Sequence, residues 1–369
     1  MKSVVLTPYC PLPADHGGKV EMMKHLGILH SLGECTIASA ATRPAGMGWS
    51  ASLRNSLESD GFRVRLREEA GYSRTLRQWF GIVYASVCKG LRLERAFGHA
   101  NPYHRYAFPP AWWQDVTAKA DIAVINYSYW AWLPTTCPKV VVLLDLFSGL
   151  MWGGSLKETE DLRTADLVVV ISKDEEQELH RRGIKNVLWS PPVVRPTSFP
   201  LPAAIGIVGS ANPHNREGIK WLGTSSPPEA IGVNVYGALS GFAGWPKVVR
   251  VKSYSDPYQP YRDCGIILLP TALGTGVQIK VVEALACGRA IIARRGAMRG
   301  IPDGQGAWIE VDSPTAMWLQ AERLSRDGQE RIAQGEKAKA YYQRYLDHEK
   351  INLQLRDAYR SLLSGRMKA

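Results

Sequence analysis

No apolar run in this chain of 369 residues approaches the roughly 20 that a helix needs to cross a bilayer. The longer runs, Leu167 to Ile171 and Ile266 to Pro270, have strand length. Met1 to Thr7 lacks a long apolar core and a small-residue cleavage site, so it is expected to be a first strand rather than a signal peptide. The six cysteines (Cys10, Cys35, Cys88, Cys137, Cys264 and Cys287) are far apart, and no pair has zinc-ligand spacing. A chain of this size can build a core without disulfides, and the cytoplasm is the expected location. There is no Asp-x-Asp triplet and no His/Cys/Asp cluster at metal-ligand spacing, so neither a metal nor another cofactor is expected. A Gly-x-Ser-x-Gly elbow is also missing, which leaves hydrolase triads unsupported. Repeats of fixed period and low-complexity segments are lacking too.

What is present is an ordinary globular composition with a basic excess. Hydrophobic residues make up 45% and charged residues 21%, and the length suits about two domains. Forty-five Lys and Arg against thirty-four Asp and Glu leave +11, which points to an anionic partner: nucleic acid, an anionic membrane surface or a phosphorylated substrate. None of the usual nucleic-acid modules is legible, so nucleic acid is not expected. Between Asp60 and Pro110 nine basic residues face four acidic ones, so about five of the eleven excess charges fall in that stretch.

The N-terminal half alternates short apolar runs with helical patterns. Strands are expected at Ser3–Thr7, Cys35–Ala38, Phe62–Leu66, Ile122–Ile125, Val140–Leu144 and Leu167–Ile171, and a helix from about Lys19 to Leu32. The strand runs are nearly continuous apolar or β-branched, as in a parallel sheet buried on both faces. Prolines 191, 192, 196, 200 and 202 then crowd one stretch that reads as a stiff linker. A second βαβ series follows, with strands at Ala204–Val208, Val233–Tyr236, Val248–Val251, Gly265–Leu269 and Ala290–Ala293. The expected architecture is α/β: two Rossmann-like doubly wound domains facing a central cleft, 1–195 and 203–345. Residues 346–369 form a C-terminal helix, for which packing back on the first domain is expected.

The most informative stretch runs from Leu269 to Gly288. A strand ends at Pro270, a glycine loop follows, and a helix runs to about Cys287. Gly274 and Gly276 would let backbone amides approach an anion at the positive helix end. Gly276, Lys280, Glu283 and Cys287 recur at spacings of 4, 3 and 4 and so share one helix face. A nucleoside diphosphate fits this line, with pyrophosphate at the glycine end and Lys280, and ribose hydroxyls on Glu283. A surface Lys–Glu pair beside a plain Gly-Thr-Gly turn fits the same spacing.

The stretch resembles the nucleotide-sugar signature of GT-B glycosyltransferases, especially glycosyltransferase family 4 and its bacterial polysaccharide relatives. Further segments agree in order: Pro11 to Gly18 with the family's first glycine loop, Ala165 to Glu176 with its last N-domain strand and helix, and Ile207 to Gly218 with the opening of its second domain. The resemblance implies sugar transfer from a nucleotide-sugar donor to a saccharide or lipid-linked acceptor, in surface polysaccharide or glycolipid synthesis. It implies that Glu283 binds the donor ribose, that Gly276 and Lys280 lie near the diphosphate, and that Gly209 and Asn212 border the donor pocket, with Gly17 and Gly18 facing it; Gly274 and Thr275 of the same loop are further donor-binding candidates. Many retaining members carry a second glutamate eight residues before the ribose-binding one. Thr275 holds that position here, so neither the sugar nor retention of configuration follows from the resemblance.

Asp145 ends the strand Val140–Leu144 at the carboxyl edge of the expected sheet, where ligands bind. Its segment resembles the His-Asp-x-x-Ser of related transferases, with Leu144 at the histidine position. An inverting reaction would need a general base, and Asp145 is the first candidate, with His16 in the first glycine loop the second. A helix-capping or Arg-pairing role for Asp145 stays open beside that one. Residues 73–95 carry Leu76, Phe80, Val83, Tyr84, Val87 and Leu91 on one helical face among Arg74, Arg77, Lys89, Arg92 and Arg95. This stretch reads either as an interfacial helix on the inner face of an anionic membrane or as an ordinary amphipathic helix on the sheet. Rival functions are a nucleotide-sugar epimerase of the same fold and a donor-binding protein without turnover.

Overall fold

The computed structural model describes residues 1–14, 17–41, 48–71, 79–80, 83, 87, 107–146, 155–229, 231–245, 247–251, 253–274 and 276–365. The chain divides into two compact units, Met1–Pro191 with Asn352–Ala369, and Pro192–Ile351. Among the described residues each unit holds one wholly parallel sheet.

In unit 1 the strands are β1 (Lys2–Leu6), β2 (Glu34–Ser39), β3 (Arg63–Leu66), β4 (Ile122–Asn126), β5 (Lys139–Leu143), β6 (Leu167–Val170) and β7 (Val187–Trp189). Their order across the sheet is β3-β2-β1-β4-β5-β6-β7, with every pair parallel. The helices are α1 (Gly17–Leu32), α2 (Ala51–Ser59), α3 (Pro110–Thr117), α4 (Ser155–Leu162) and α5 (Lys173–Arg181). The twofold alternation of strand side chains produces two cores. Leu6, Ile125, Val141, Leu143 and Val170 bury one face against Trp112, Trp113 and Trp130. Val5, Ile37, Val124, Val142 and Val169 bury the other against Met22, Leu26 and Leu29 of α1. Each such fully buried side chain contributes roughly 1.5–3 kcal/mol.

Unit 2 runs β8 (Ile205–Val208), α6 (Pro213–Leu222), β9 (Val233–Tyr236), β10 (Val248–Val251), α7 (Gln259–Asp263), β11 (Ile266–Leu269), α8 (Ile279–Ala286), β12 (Ala290–Arg294), β13 (Ile309–Val311), α9 (Pro314–Arg326) and α10 (Gly328–Tyr345). The sheet order is β10-β9-β8-β11-β12-β13, again wholly parallel. In both sheets the strand order therefore reverses once, between β1 and β4 and between β8 and β11. Loops leaving the carboxyl ends of those neighbouring strands diverge to opposite faces and open a crevice.

The proline-rich segment is fastened by a buried cation. Arg289 donates to the carbonyls of Phe199 (3.0 Å), Pro200 (2.8 Å), Tyr261 (3.0 Å) and Cys287 (2.9 Å). The helix α11 (His348–Leu363) returns the chain to unit 1, where Leu355, Tyr359 and Leu362 join the α1 core. There the Tyr359 hydroxyl lies 2.5 Å from His25 Nδ1. No described helix is long and apolar enough to cross a membrane.

Candidate functional site

The crevice of unit 2 is built from the ends of β8 and β11 and the starts of α6 and α8. Gly209 follows β8, and a Cβ there would come within 3.0 Å of Asn215 Nδ2 and 3.1 Å of Leu239 Cδ2, so a larger residue would crowd the Asn215 side chain at the start of α6. Asn212 caps α6 by accepting the Asn215 amide at 2.8 Å. The buried Asn215 side chain then spans the crevice floor. Its Nδ2 donates to the Ser210 carbonyl at 2.9 Å, while its Oδ1 accepts from Lys280 Nζ at 2.8 Å and from Thr271 Oγ1 at 3.0 Å.

Lys280, in the first turn of α8, is 7% exposed. Burial, and next the charge of Arg299, lower its pKa to about 7, while Glu283 pulls it the other way. An ammonium carries three donors, and protein acceptors occupy two of them here: Asn215 Oδ1 and, at 3.3 Å, Thr271 Oγ1. Arg299 donates to the Ala272 and Gly296 carbonyls, both at 3.3 Å, and its Nη2 lies 2.7 Å from where a Cβ on Gly274 would stand. Gly274 (φ +116°) and Gly276 (φ +63°) take left-handed backbone conformations that other residues rarely adopt. The N-cap residue of α8, Gln278, makes no capping bond; its amide is turned to the Thr271 and Ala297 carbonyls at 3.0 and 2.9 Å. Two cations and the positive end of α8 thus surround the glycine loop.

One turn further along α8, Glu283 Oε2 accepts the buried Tyr261 hydroxyl at 2.6 Å. Burial holds this carboxyl above its ordinary range, against the opposing pull of Tyr261 and Lys280. Tyr254, half-buried, also senses the Glu283 charge.

Unit 1 gathers a second group of polar side chains at its own crevice. Tyr9 follows β1 and Tyr127 follows β4, with their hydroxyls 3.2 Å apart. Tyr127 has φ +72°, an uncommon backbone state for an aromatic residue, and stacks on Tyr129 at 5.7 Å and 26°. Asp145, half-buried two residues beyond β5, raises the pKa of both tyrosines, although burial is the larger cause in each. Glu158 of α4 accepts from Ser128 Oγ at 2.5 Å. Glu175 of α5 accepts the Leu146 amide at 2.8 Å.

Residues 202–327 match the family model described as "Glycosyl transferases group 1". No curated protein matches the chain significantly. Among solved structures it is similar to Anabaena HepE in complex with UDP-glucose, at 13% identity and a TM-score of 0.68, covering 98% of this chain and 100% of that one. It is similar to the sucrose-phosphate synthase of Thermosynechococcus elongatus, at 14% identity and 0.64, covering 99% and 100%. A variant of S. aureus TarM, in complex with fondaparinux, alpha-GlcNAc-glycerol and UDP, gives 9% identity and 0.64, covering 98% and 99%.

The fold is GT-B.

Within the C-terminal unit of this GT-B chain the structure brings Gly209, Gly274, Gly276, Lys280 and Glu283 to one crevice, and leaves Asn212 exposed as the α6 cap. In the N-terminal unit Gly17 and Gly18 open α1, and Asp145 stands just past the carboxyl end of β5, an interior strand. His16 and Thr275 lie outside the described residues, as does most of 73–95. The residues missed in sequence are Asn215, Thr271, Tyr261 and Arg299. Asn215 and Thr271 had a local signal, since each follows the end of a strand facing the switch point. Tyr261 and Arg299 had none, because their partners Glu283 and Ala272 are 22 and 27 residues away in sequence. Among the described residues no group of three or more His, Cys, Asp or Glu could hold a metal ion.

Proposed function

We propose that this chain transfers a sugar from a nucleotide-sugar donor to a hydroxyl acceptor. The observation that carries the reading is the Asn215–Lys280–Thr271 knot below a glycine loop, with Glu283 one turn further along the same helix. In this reading the diphosphate lies on the loop amides, Arg299 and the third donor of Lys280. Charge that develops on the departing diphosphate meets groups already oriented toward it. Ribose hydroxyls donate to Glu283, whose raised pKa falls again as it gains them. In unit 1, Asp145 takes the acceptor proton as general base of an inverting reaction, next to the stacked pair Tyr127 and Tyr129. The family model over 202–327 and the UDP-sugar complexes of similar structures support the donor class.

The acceptor in this reading is a saccharide, lipid-linked in surface polysaccharide or glycolipid synthesis. The described residues of the basic stretch, Trp79, Phe80, Val83 and Val87, are helical and exposed at 52%, 70%, 55% and 52%. Their spacing forms an apolar stripe within a cationic segment, and this suits an anionic lipid surface. Co-sedimentation with phosphatidylglycerol vesicles but not phosphatidylcholine vesicles is expected, and equal behaviour with both would remove the membrane part.

The transfer reading is tested by incubating the chain with UDP-, GDP- and ADP-hexoses and a mixture of oligosaccharide acceptors, and following release of nucleoside diphosphate together with the hexosylated acceptor. Release from one of the three is expected. An epimerase would instead convert the donor sugar without liberating a hexosyl product.

A further inference from the structure

The carboxyl group of Glu175 sits on the first turn of α5, the helix that follows β6, and β6 lies next to β5 in the sheet. Its side chain is buried, with the residue 7% exposed. One oxygen, Oε1, accepts the Leu146 amide at 2.8 Å, and the other, Oε2, is buried with no hydrogen-bond partner. The Leu146 amide belongs to the peptide plane whose other end is the Asp145 Cα. A hydrogen bond to that amide therefore fixes the direction in which Asp145 leaves the strand. We propose that Glu175 is a positioning residue for Asp145, a neutral carboxylic acid that clamps the β5 exit so that Asp145 carries the working charge.

The neutral state follows from the surroundings. Burial is the main influence, and the negative charges of Asp145 at the β5 exit, Glu158 on α4 and Asp174 on α5 add to it. Together they push Glu175 up to about 8 against the opposing Leu146 bond. Lys173, two residues earlier on the same helix, is engaged by Glu176 at 2.5 Å. With Oε1 accepting, the proton resides on Oε2, the atom without a partner. An ionised Glu175 would be repelled by the Asp145 charge, and keeping Glu175 protonated avoids that repulsion. This role rests on the reading of Asp145 as the base, but the coupling between the two residues can be measured without any substrate.

The test uses Glu175→Gln, which keeps an acceptor for Leu146 and mimics the neutral acid, together with Asp145→Asn and the double variant. Urea unfolding is followed from pH 5 to 9. A free glutamate ionises near ~4.3, so between there and about 8 the wild-type native state holds one proton more than its unfolded state. Its folding constant, relative to Glu175→Gln, should fall up to tenfold per pH unit over that window and level off above it. With Asp145→Asn in both proteins, the levelling point should move to lower pH, because one repelling charge is gone. Parallel curves for wild type and Glu175→Gln would overturn the proposal, and so would a levelling point that ignores Asp145→Asn. Failure of Glu175→Gln to fold would overturn it as well, since the amide reproduces the neutral acid. If instead Asp145→Asn proves fully active in transfer while the coupling holds, the base assignment falls and the pairing stands.

Discussion

Lys280 Nζ and Asn215 Oδ1 lie 2.8 Å apart and join the first turns of α8 and α6 across the unit 2 switch point. A buried lysine lacks an ionised partner in this bond, since the amide oxygen is polar but neutral. The ammonium is therefore held at the edge of deprotonation, at about 7, by burial and by Arg299. An anion supplied by a ligand would complete the site.

Nucleotide binding should consequently be coupled to proton uptake. A diphosphate favours the charged lysine, so affinity for UDP should fall by up to tenfold per pH unit as the pH rises through and above 7. The phosphate of UDP titrates in a similar range for any variant, so the comparison with Lys280→Met decides. Titration calorimetry in two buffers of different ionisation enthalpy should show uptake for wild type and less for Lys280→Met. Equal uptake in both proteins would remove Lys280 from the site.

For Asp145 the informative change is to Asn, which keeps shape and hydrogen bonding but cannot accept the proton. Turnover should fall by roughly 10²–10⁴ with donor affinity nearly constant. A stable and active Asp145→Asn protein, or a retaining product, would end its assignment as base.

Transfer should persist in EDTA at saturating donor, because Lys280, Arg299 and the α8 amides supply the positive charge that a metal would otherwise bring. Complete loss in chelator with recovery on adding manganese would show that these groups are insufficient.

Much of this was legible in the sequence, for physical reasons that differ by element. β11, and β5 after Lys139, are short continuous apolar runs rich in β-branched residues, the pattern of a strand buried on both faces. β7 and β13 were not expected: each has three residues, lies at a sheet edge and is only half-buried or mixed, so the apolar signal is short and diluted. The helix α2 was also missed, since among its described positions only Leu57 is buried. Lys280 and Glu283 were readable because helical spacing fixes their common face. The resemblance points to Asn212 alone, yet Asn212 is spent as a cap and Asn215 reaches the lysine. Glu175 could not be found from pattern, because its role depends on β5 and β6 being neighbours in space.

The central claim is that Glu283 and its helix hold the nucleoside of a diphosphate donor. Thermal unfolding of wild type and Glu283→Ala with UDP, GDP, ADP and CMP tests it most directly, since a ligand bound only by the folded state raises stability. One nucleoside diphosphate should stabilise the wild type, with CMP ineffective. Its affinity for Glu283→Ala should be weaker by about 1.5–3 kcal/mol, as for a lost hydrogen bond to a charged group. Equal stabilisation of a folded Glu283→Ala, or none of the wild type by any diphosphate, would contradict the account.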